Sequence, residues 1–319
     1  MRVLVAGGAG YIGSVVTAAL LESGHEVTVL DDLSTGHADA VPEGATLVRA
    51  SLHDSAPVLA DVRPEAVLHF AAKSLVGASQ VTPEDYWHTN VGGSLALLEA
   101  MRAADCRRIV FSSTAATYGE PDVVPIPEDA PTRPTNTYGA SKLAVDHMLT
   151  SYAVAHSFAA VSLRYFNVGG AAYGCGERHA TETHLIPIAL QVAAGTRDAL
   201  TVFGEDYPTP DGTCIRDYVH VTDLAAAHLL ALPAPAPAEH RIYNLGSGTG
   251  FSVQQMVDAV RTVTGHPVPV VVGARRTGDP ARLVASSARI HRDLGWAPEY
   301  TELTEIVADA WEFAQQRTA

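Results

Sequence analysis

The stretch Met1-Arg-Val-Leu-Val-Ala-Gly7-Gly-Ala-Gly10-Tyr-Ile-Gly13-Ser-Val-Val-Thr-Ala-Ala-Leu20 decides the fold. Residues 3–6 are an unbroken apolar run, which suits a strand covered on both faces. Ile12, Val15, Val16, Ala19 and Leu20 then recur at helical spacing, and Gly24 marks the end of that helix. Between strand and helix, glycines at 7, 10 and 13 permit a tight turn, close backbone approach to a pyrophosphate, and close helix–strand packing. A glycine-rich turn alone is weak evidence. The strand before it and the helix after it make this a dinucleotide-binding loop.

Working outward, further apolar runs at 27–30, 46–49, 66–70 and 109–112 alternate with amphipathic helices. This βαβ order predicts right-handed crossovers and an α/β fold, a doubly wound parallel sheet of the Rossmann type. After about residue 167 the pattern is less regular. A helix over 185–194, the linker Pro233-Ala-Pro-Ala-Pro-Ala238, a strand at 242–245, a helix capped by Ser252 and a last helix over 301–315 are expected. The chain is expected to divide into a dinucleotide domain, 1–167, to which some later segments return, and a smaller mixed α/β substrate lobe, 168–319.

The bulk composition narrows the partners. The 319 residues carry a net charge of −14, and such a surface repels nucleic acid and anionic membranes. No apolar run reaches the roughly 18 residues of a membrane span. The chain opens on a strand rather than a charged stretch followed by an apolar one, which argues against a signal peptide. Cys106, Cys175 and Cys214 are too few and too scattered for a disulfide framework, so reduced thiols and a cytoplasmic location are expected. The 14 histidines show no His-x-x-x-His and no His/Cys grouping of zinc-like spacing, so no metal is expected.

Asp31 ends the second strand, about 20 residues beyond the glycine loop. A carboxylate there accepts hydrogen bonds from ribose hydroxyls and repels a 2′-phosphate, so NAD rather than NADP is the expected cofactor. Tyr138-Gly-Ala-Ser-Lys142 begins a helix expected from 138 to about 156, and the i, i+4 spacing puts phenol and ammonium on one face. A nearby cation favours the phenolate, which makes Tyr138 a proton acceptor at neutral pH. Upstream, Phe111-Ser-Ser-Thr-Ala-Ala-Thr-Tyr118-Gly119 is a strand running into a hydroxyl-rich loop at the carboxyl edge of the sheet, where such sheets bind ligands. Thr114 is placed to bond a sugar hydroxyl or to relay a proton to Tyr138.

Together the glycine loop, the Thr114 loop, Tyr138/Lys142 and Arg164-Tyr-Phe-Asn167 resemble the extended short-chain dehydrogenase/reductases. Further stretches resemble the UDP-glucose 4-epimerases among them. These are Lys73-Ser-Leu-Val-Gly-Ala-Ser79, Phe203-Gly-Glu-Asp-Tyr-Pro-Thr-Pro-Asp-Gly-Thr213, Ile215-Arg-Asp-Tyr-Val-His-Val221, Tyr243-Asn-Leu-Gly246 and Arg275-Arg-Thr-Gly-Asp279. The resemblance spans essentially the whole chain. It implies NAD contacts at Gly7, Gly10, Tyr11, Ile12, Asp31, Phe70, Ala71, Asn90, Tyr138 and Lys142, with Tyr165 and Phe166 flanking the nicotinamide. It implies UDP contacts at Asn167, Phe203, Arg216, Arg276 and Asp279, and a position beside the sugar ring at Leu283. Arg forks suit a diphosphate, and polar or aromatic neighbours suit uracil and ribose. Ser51 stands where relatives often carry an acidic side chain toward the adenine, a difference of one hydrogen bond, about 0.5–1.5 kcal/mol.

The reaction so implied is inversion of C4 of a UDP-hexose, interconverting UDP-glucose and UDP-galactose, by a protein that the resemblance suggests is a homodimer. Three other readings are weighed beside it. Leu283 leaves room for an N-acetyl group at C2, so UDP-N-acetylhexosamine, UDP-pentose or UDP-uronate are alternative substrates. A 4,6-dehydratase needs an Asp-Glu pair after the loop hydroxyl, where this chain has Ala115-Ala116. A silent NAD-binding regulator tends to lose the Tyr/Lys pair, which is intact here.

Overall fold

The computed structural model describes residues 1–276 and 279–317. The chain forms two compact units, Met1–Gly119 with Thr132–Tyr165 and Ala225–Tyr243, and Glu120–Pro131 with Phe166–Leu224 and Asn244–Ala319. In chain order the strands are β1 (Arg2–Ala6), β2 (Glu26–Asp31), β3 (Thr46–Arg49), β4 (Ala66–His69), β5 (Arg108–Thr114), β6 (Ala159–Tyr165) and β7 (Asn167–Gly169). There follow β8 (Leu200–Phe203), β9 (Ile215–Arg216), β10 (Tyr218–His220), β11 (Glu239–Leu245), β12 (Phe251–Ser252), β13 (Val270–Gly273) and β14 (Arg282–Leu283).

The first unit is built on a seven-stranded sheet of order β11-β6-β5-β4-β1-β2-β3. Strands β1 to β6 are joined by parallel pairings, with β1 lying between β2 and β4. This is the expected doubly wound parallel sheet. Its strands read as continuous apolar runs because helices cover both faces. One layer of core gathers Leu4, Leu30, Leu59, Val67, Leu97, Ile109, Phe111, Val145 and Leu149. Strand β6 does not read as an apolar run, because Ser162 and Arg164 interrupt it. Both are buried, and each has a partner: Ser162 Oγ lies 2.9 Å from His240 Nε2, and the Arg164 guanidinium meets Asp146. A buried polar residue with a partner costs little, so the strand keeps its place between β11 and β5.

The second unit is a smaller mixed α/β lobe. β7 pairs with β10 and β8 with β13 in parallel, while β9 pairs antiparallel with β12 and parallel with β14. Its core packs Ile186, Leu190, Met256, Val257, Val260, Leu303, Ile306 and Val307, from the helices Leu185–Ala193, Val253–Thr264 and Leu303–Gln316. The expected Ser252 cap is present as a reciprocal pair. Ser252 Oγ accepts from Gln255 N at 3.1 Å, and Gln255 Oε1 accepts from Ser252 N at 2.8 Å. Among the described residues no helix is long and apolar enough to cross a membrane.

Candidate active site

The glycine loop joins β1 to the helix Tyr11–Glu22, whose N-cap is Gly10. Gly7 N donates to Leu30 O at 2.8 Å, and the amides of Phe70 and Ala71 both donate to Ala6 O, at 2.7 and 2.9 Å. Phe70 and Ala71 therefore stand beside the loop, at the carboxyl end of β4. Tyr11 and Ile12 open the helix, half-buried. The glycines do different work. A Cβ on Gly13 would lie 2.1 Å from Gly7 O, so the helix packs on the loop only without a side chain there. A Cβ on Gly10 would meet only Gly7 O, at 3.5 Å, so the space over the helix N-terminus is open. Such a terminus, with free N–H groups and its positive dipole end, receives a phosphate.

That difference gives the first expected result. Gly10→Ala should stay folded, within about 1 kcal/mol of the parent, because only the cap preference is lost. It should nonetheless bind NAD at least tenfold more weakly. Gly13→Ala should lose stability outright. Urea unfolding and cofactor titration of both variants separate the two, and equal loss of stability would contradict this assignment.

Asp31, at the end of β2, is buried and holds the loop. Its Oδ2 accepts from Ala9 N at 3.0 Å and its Oδ1 from Leu33 N at 2.9 Å. Burial raises its pKa and the two amides pull it back. Ser51 donates to Asp54 Oδ2 at 2.7 Å, so a carboxylate stands next to the hydroxyl that replaces the family's acidic residue. Asn90 is spent on the protein. It accepts from Lys73 N at 2.8 Å and donates to Lys73 O at 3.0 Å and to Ser141 Oγ at 2.9 Å, tying the 73 loop to the helix Thr137–His156.

That helix carries Tyr138 in its first turn and Lys142 one turn on. Its N-cap Asn136 accepts from Gly139 N at 2.8 Å. The Tyr138 hydroxyl is hydrogen-bonded to Thr114, the last residue of β5. Burial pushes the phenol's pKa up and that bond draws it down. Thr114 Oγ1 also accepts from Ala116 N at 3.2 Å, which starts the turn after the strand. Gly139 has a role that the sequence did not disclose: a Cβ there would lie 2.4 Å from Ala116 O, so helix and turn approach only with glycine.

Lys142 is buried. Its Nζ donates to Ser112 O at 2.8 Å and sits 4.8 Å from the Phe111 ring centre. Burial lowers its pKa to about 7, with Asp146 opposing the shift. Between pH 7 and about 10 the unfolded chain therefore holds a proton that the folded chain lacks, and stability rises with pH in that window. Below pH 7 the full cost of burying the cation is present. Lys142→Met should lack this slope, and parallel stability–pH curves for parent and variant would contradict it.

Beneath Lys142, two turns from Tyr138, lies a buried pair that the sequence also left hidden. Arg164 Nε and Nη2 donate to Asp146 Oδ2 at 3.2 and 3.0 Å, and Ser113 Oγ donates to the same oxygen at 3.2 Å. Spacing offered one clue: Tyr138, Lys142 and Asp146 follow one another at i, i+4 and i+8 on one helix face. Tyr165 is buried with its hydroxyl hydrogen-bonded to Ser112 and His228.

The second unit holds the other expected residues. Phe166 is buried, and Asn167 N donates to Asp217 O at 2.9 Å. Arg276 lies over the Phe203 ring, 4.0 Å from its centre. Arg216 pairs with Asp279 and donates to Pro280 O at 3.0 Å. The pairing of β14 with β9 sets Leu283 opposite Arg216. Thr277 and Gly278, within the quoted 275–279 stretch, lie outside the described residues.

Residues 3–246 match the NAD dependent epimerase/dehydratase family. The UDP-glucose 4-epimerase of Corynebacterium glutamicum is 57% identical over 314 residues, 98% of this chain and 95% of that protein. The crystal structure of the Brucella ovis UDP-glucose 4-epimerase in complex with NAD superposes with a TM-score of 0.94 at 44% identity, covering 98% of this chain and 97% of that one. That of the Bifidobacterium longum enzyme in complex with NAD+ and UDP gives 0.94 at 34% identity, covering 100% and 99%. With a matching family model across most of its length and relatives this close, the chain belongs to the NAD dependent epimerase/dehydratase family.

Proposed function

We propose that the chain interconverts UDP-glucose and UDP-galactose at C4, with NAD held at the glycine loop. The observation that carries this reading is the Thr114–Tyr138 hydrogen bond set one helical turn from the buried Lys142. The residues fit the cofactor: the open helix N-terminus at Gly10 suits a pyrophosphate, and the Asp31 carboxylate suits a ribose. Bound there, NAD supplies the chemistry of taking a hydride from a carbon and giving it back.

The chain's own residues do the rest. Tyr138 Oη takes the proton of the sugar 4-hydroxyl, and Lys142 favours the phenolate form. Thr114 bonds the hydroxyl and aligns it. Arg216 and Arg276 hold the diphosphate while the transient 4-keto sugar turns its other face, with Asn167, Phe203 and Asp279 about the uridine. Tyr138 then returns the proton, leaving the inverted alcohol. The flanking of the nicotinamide by Tyr165 and Phe166 belongs to the same proposal.

Leu283 supports a second substrate reading. It is fixed opposite Arg216 by backbone pairing, and an aliphatic side chain there suits an N-acetyl group at C2. We further infer a cytoplasmic homodimer. Val81, Trp87 and Leu95 of the first unit are exposed apolar side chains that a second copy would cover, and Cys106 and Cys175 are buried and outside any disulfide. Sedimentation reads the oligomeric state.

The deciding experiment incubates purified protein with UDP-galactose and, separately, UDP-N-acetylgalactosamine, and resolves the C4 epimers by NMR. Conversion of UDP-galactose is expected. Its absence would overturn the reading, and conversion of the acetylated sugar alone would replace the substrate.

A further inference from the structure

We propose that Glu177, His179, Glu182 and His184 form a binding site for one divalent transition-metal ion, zinc by the chemistry of its donors.

The four residues fall within eight positions, in the order Glu-x-His-x-x-Glu-x-His. They escape a search for zinc-like spacing because the histidines are five apart rather than four and the other donors are carboxylates. Folding brings all four donor atoms within 4.8 Å of one another. Glu177 Oε1 lies 2.9 Å from His179 Nδ1 and 2.6 Å from His184 Nδ1, and Glu182 Oε1 lies 2.9 Å from His184 Nδ1.

The backbone under the cluster is pinned at both ends. Cys175 exchanges two hydrogen bonds with Ala172, at 2.8 and 3.0 Å, and a Cβ on Gly176 would lie 2.4 Å from the Phe313 ring. At the other end His184 is the N-cap of the helix Leu185–Ala193. Glu182 Oε1 is oriented by the amides of Thr183 and His184, each at 2.8 Å. The carboxylates sit low, with side chains 11% and 7% exposed, and the imidazoles sit at the mouth, 28% and 44% exposed. An ion can enter from solvent and meet donors that are already turned inward.

Charge and donor type select the ion. A divalent ion with two carboxylates and two neutral imidazoles balances to zero, which suits a half-buried site. Two imidazole nitrogens exclude a calcium or magnesium preference, while two nitrogens with two oxygens suit tetrahedral zinc. Bonds of about 2.0–2.1 Å from such an ion place donors about 3.3 Å apart. The contacts now hydrogen-bonded open by roughly half an ångström and the wider ones close, within the reach of side-chain rotation.

The test uses protein stripped with a chelator, desalted and carrying NAD, titrated with Zn2+ against a chromophoric competitor. One ion per chain should bind with a Kd below about 1 μM, and excess Ca2+ should not displace it. His184→Ala and His179→Ala should each weaken binding by at least about tenfold and remove the rise in Tm on adding Zn2+. Weak binding of several ions, unchanged by these substitutions, would leave a hydrogen-bonded cluster only and overturn the proposal. If His184→Ala fails to fold, His179→Ala and Glu177→Gln decide the matter by the same titration.

Discussion

Tyr138→Phe should reduce turnover of UDP-galactose by about 10²–10⁴-fold while NAD stays bound, because it deletes one oxygen and leaves the ring in place. The phenol's neighbours give it no second task. Its hydroxyl meets Thr114 at the end of β5, and the ring is only half-buried, so the fold does not depend on that oxygen. No water bound in the space of the lost hydroxyl restores a group that takes a proton and gives it back in place. Single-turnover conversion followed by NMR, with cofactor content read by absorbance, checks both halves. Turnover within threefold of the parent would remove Tyr138 from the chemistry.

The largest loss of stability is expected from Asp146→Asn, about 3–5 kcal/mol. Asp146 and Arg164 have side chains only 3% and 4% exposed, and Lys142 is buried one turn away. Neutralising Asp146 leaves the buried Arg164 guanidinium without its anion and removes the charge that opposes the fall in the pKa of Lys142. The facing groups do not replace it. His69 on β4 is held neutral near pKa 3 by burial and by Lys142, and His240 on β11 is held near 4, chiefly by burial. Urea unfolding measures the loss. The double variant Asp146→Leu with Arg164→Met should recover part of it, since an apolar pair of similar volume avoids the desolvation cost. A loss under about 1 kcal/mol for Asp146→Asn would show that water reaches the pair.

The substitution bears on the reaction as well. Asp146 opposes the fall in the pKa of Lys142, so its neutralisation should lower that pKa further. Less ammonium would then stand beside Tyr138 at neutral pH. The chain has only two lysines, Lys73 and Lys142, so NMR of labelled lysines reads Lys142 directly. Its titration should move to lower pH in Asp146→Asn.

What the sequence discloses unaided is what neighbours along the chain can encode. The glycine loop between an apolar run and a helical stripe, the Tyr138/Lys142 face and the Ser252 cap each depend on residues within a few positions, where the periods of strand and helix fix which side chains align. The cap is present as expected. The remaining pairings are set by the packed fold. Asp146 and Arg164 are 18 residues apart, Asn90 and Ser141 51, and Arg216 and Asp279 63. No local period relates such positions, and nothing in the sequence around each residue names its partner until the chain crossing brings the two together. The Glu177–His184 cluster sits between the two cases. Its residues are close in sequence, but only the pinned irregular backbone turns four donors toward one point. A polar residue in a low-dielectric interior persists only with a partner, and that partner is supplied by the fold.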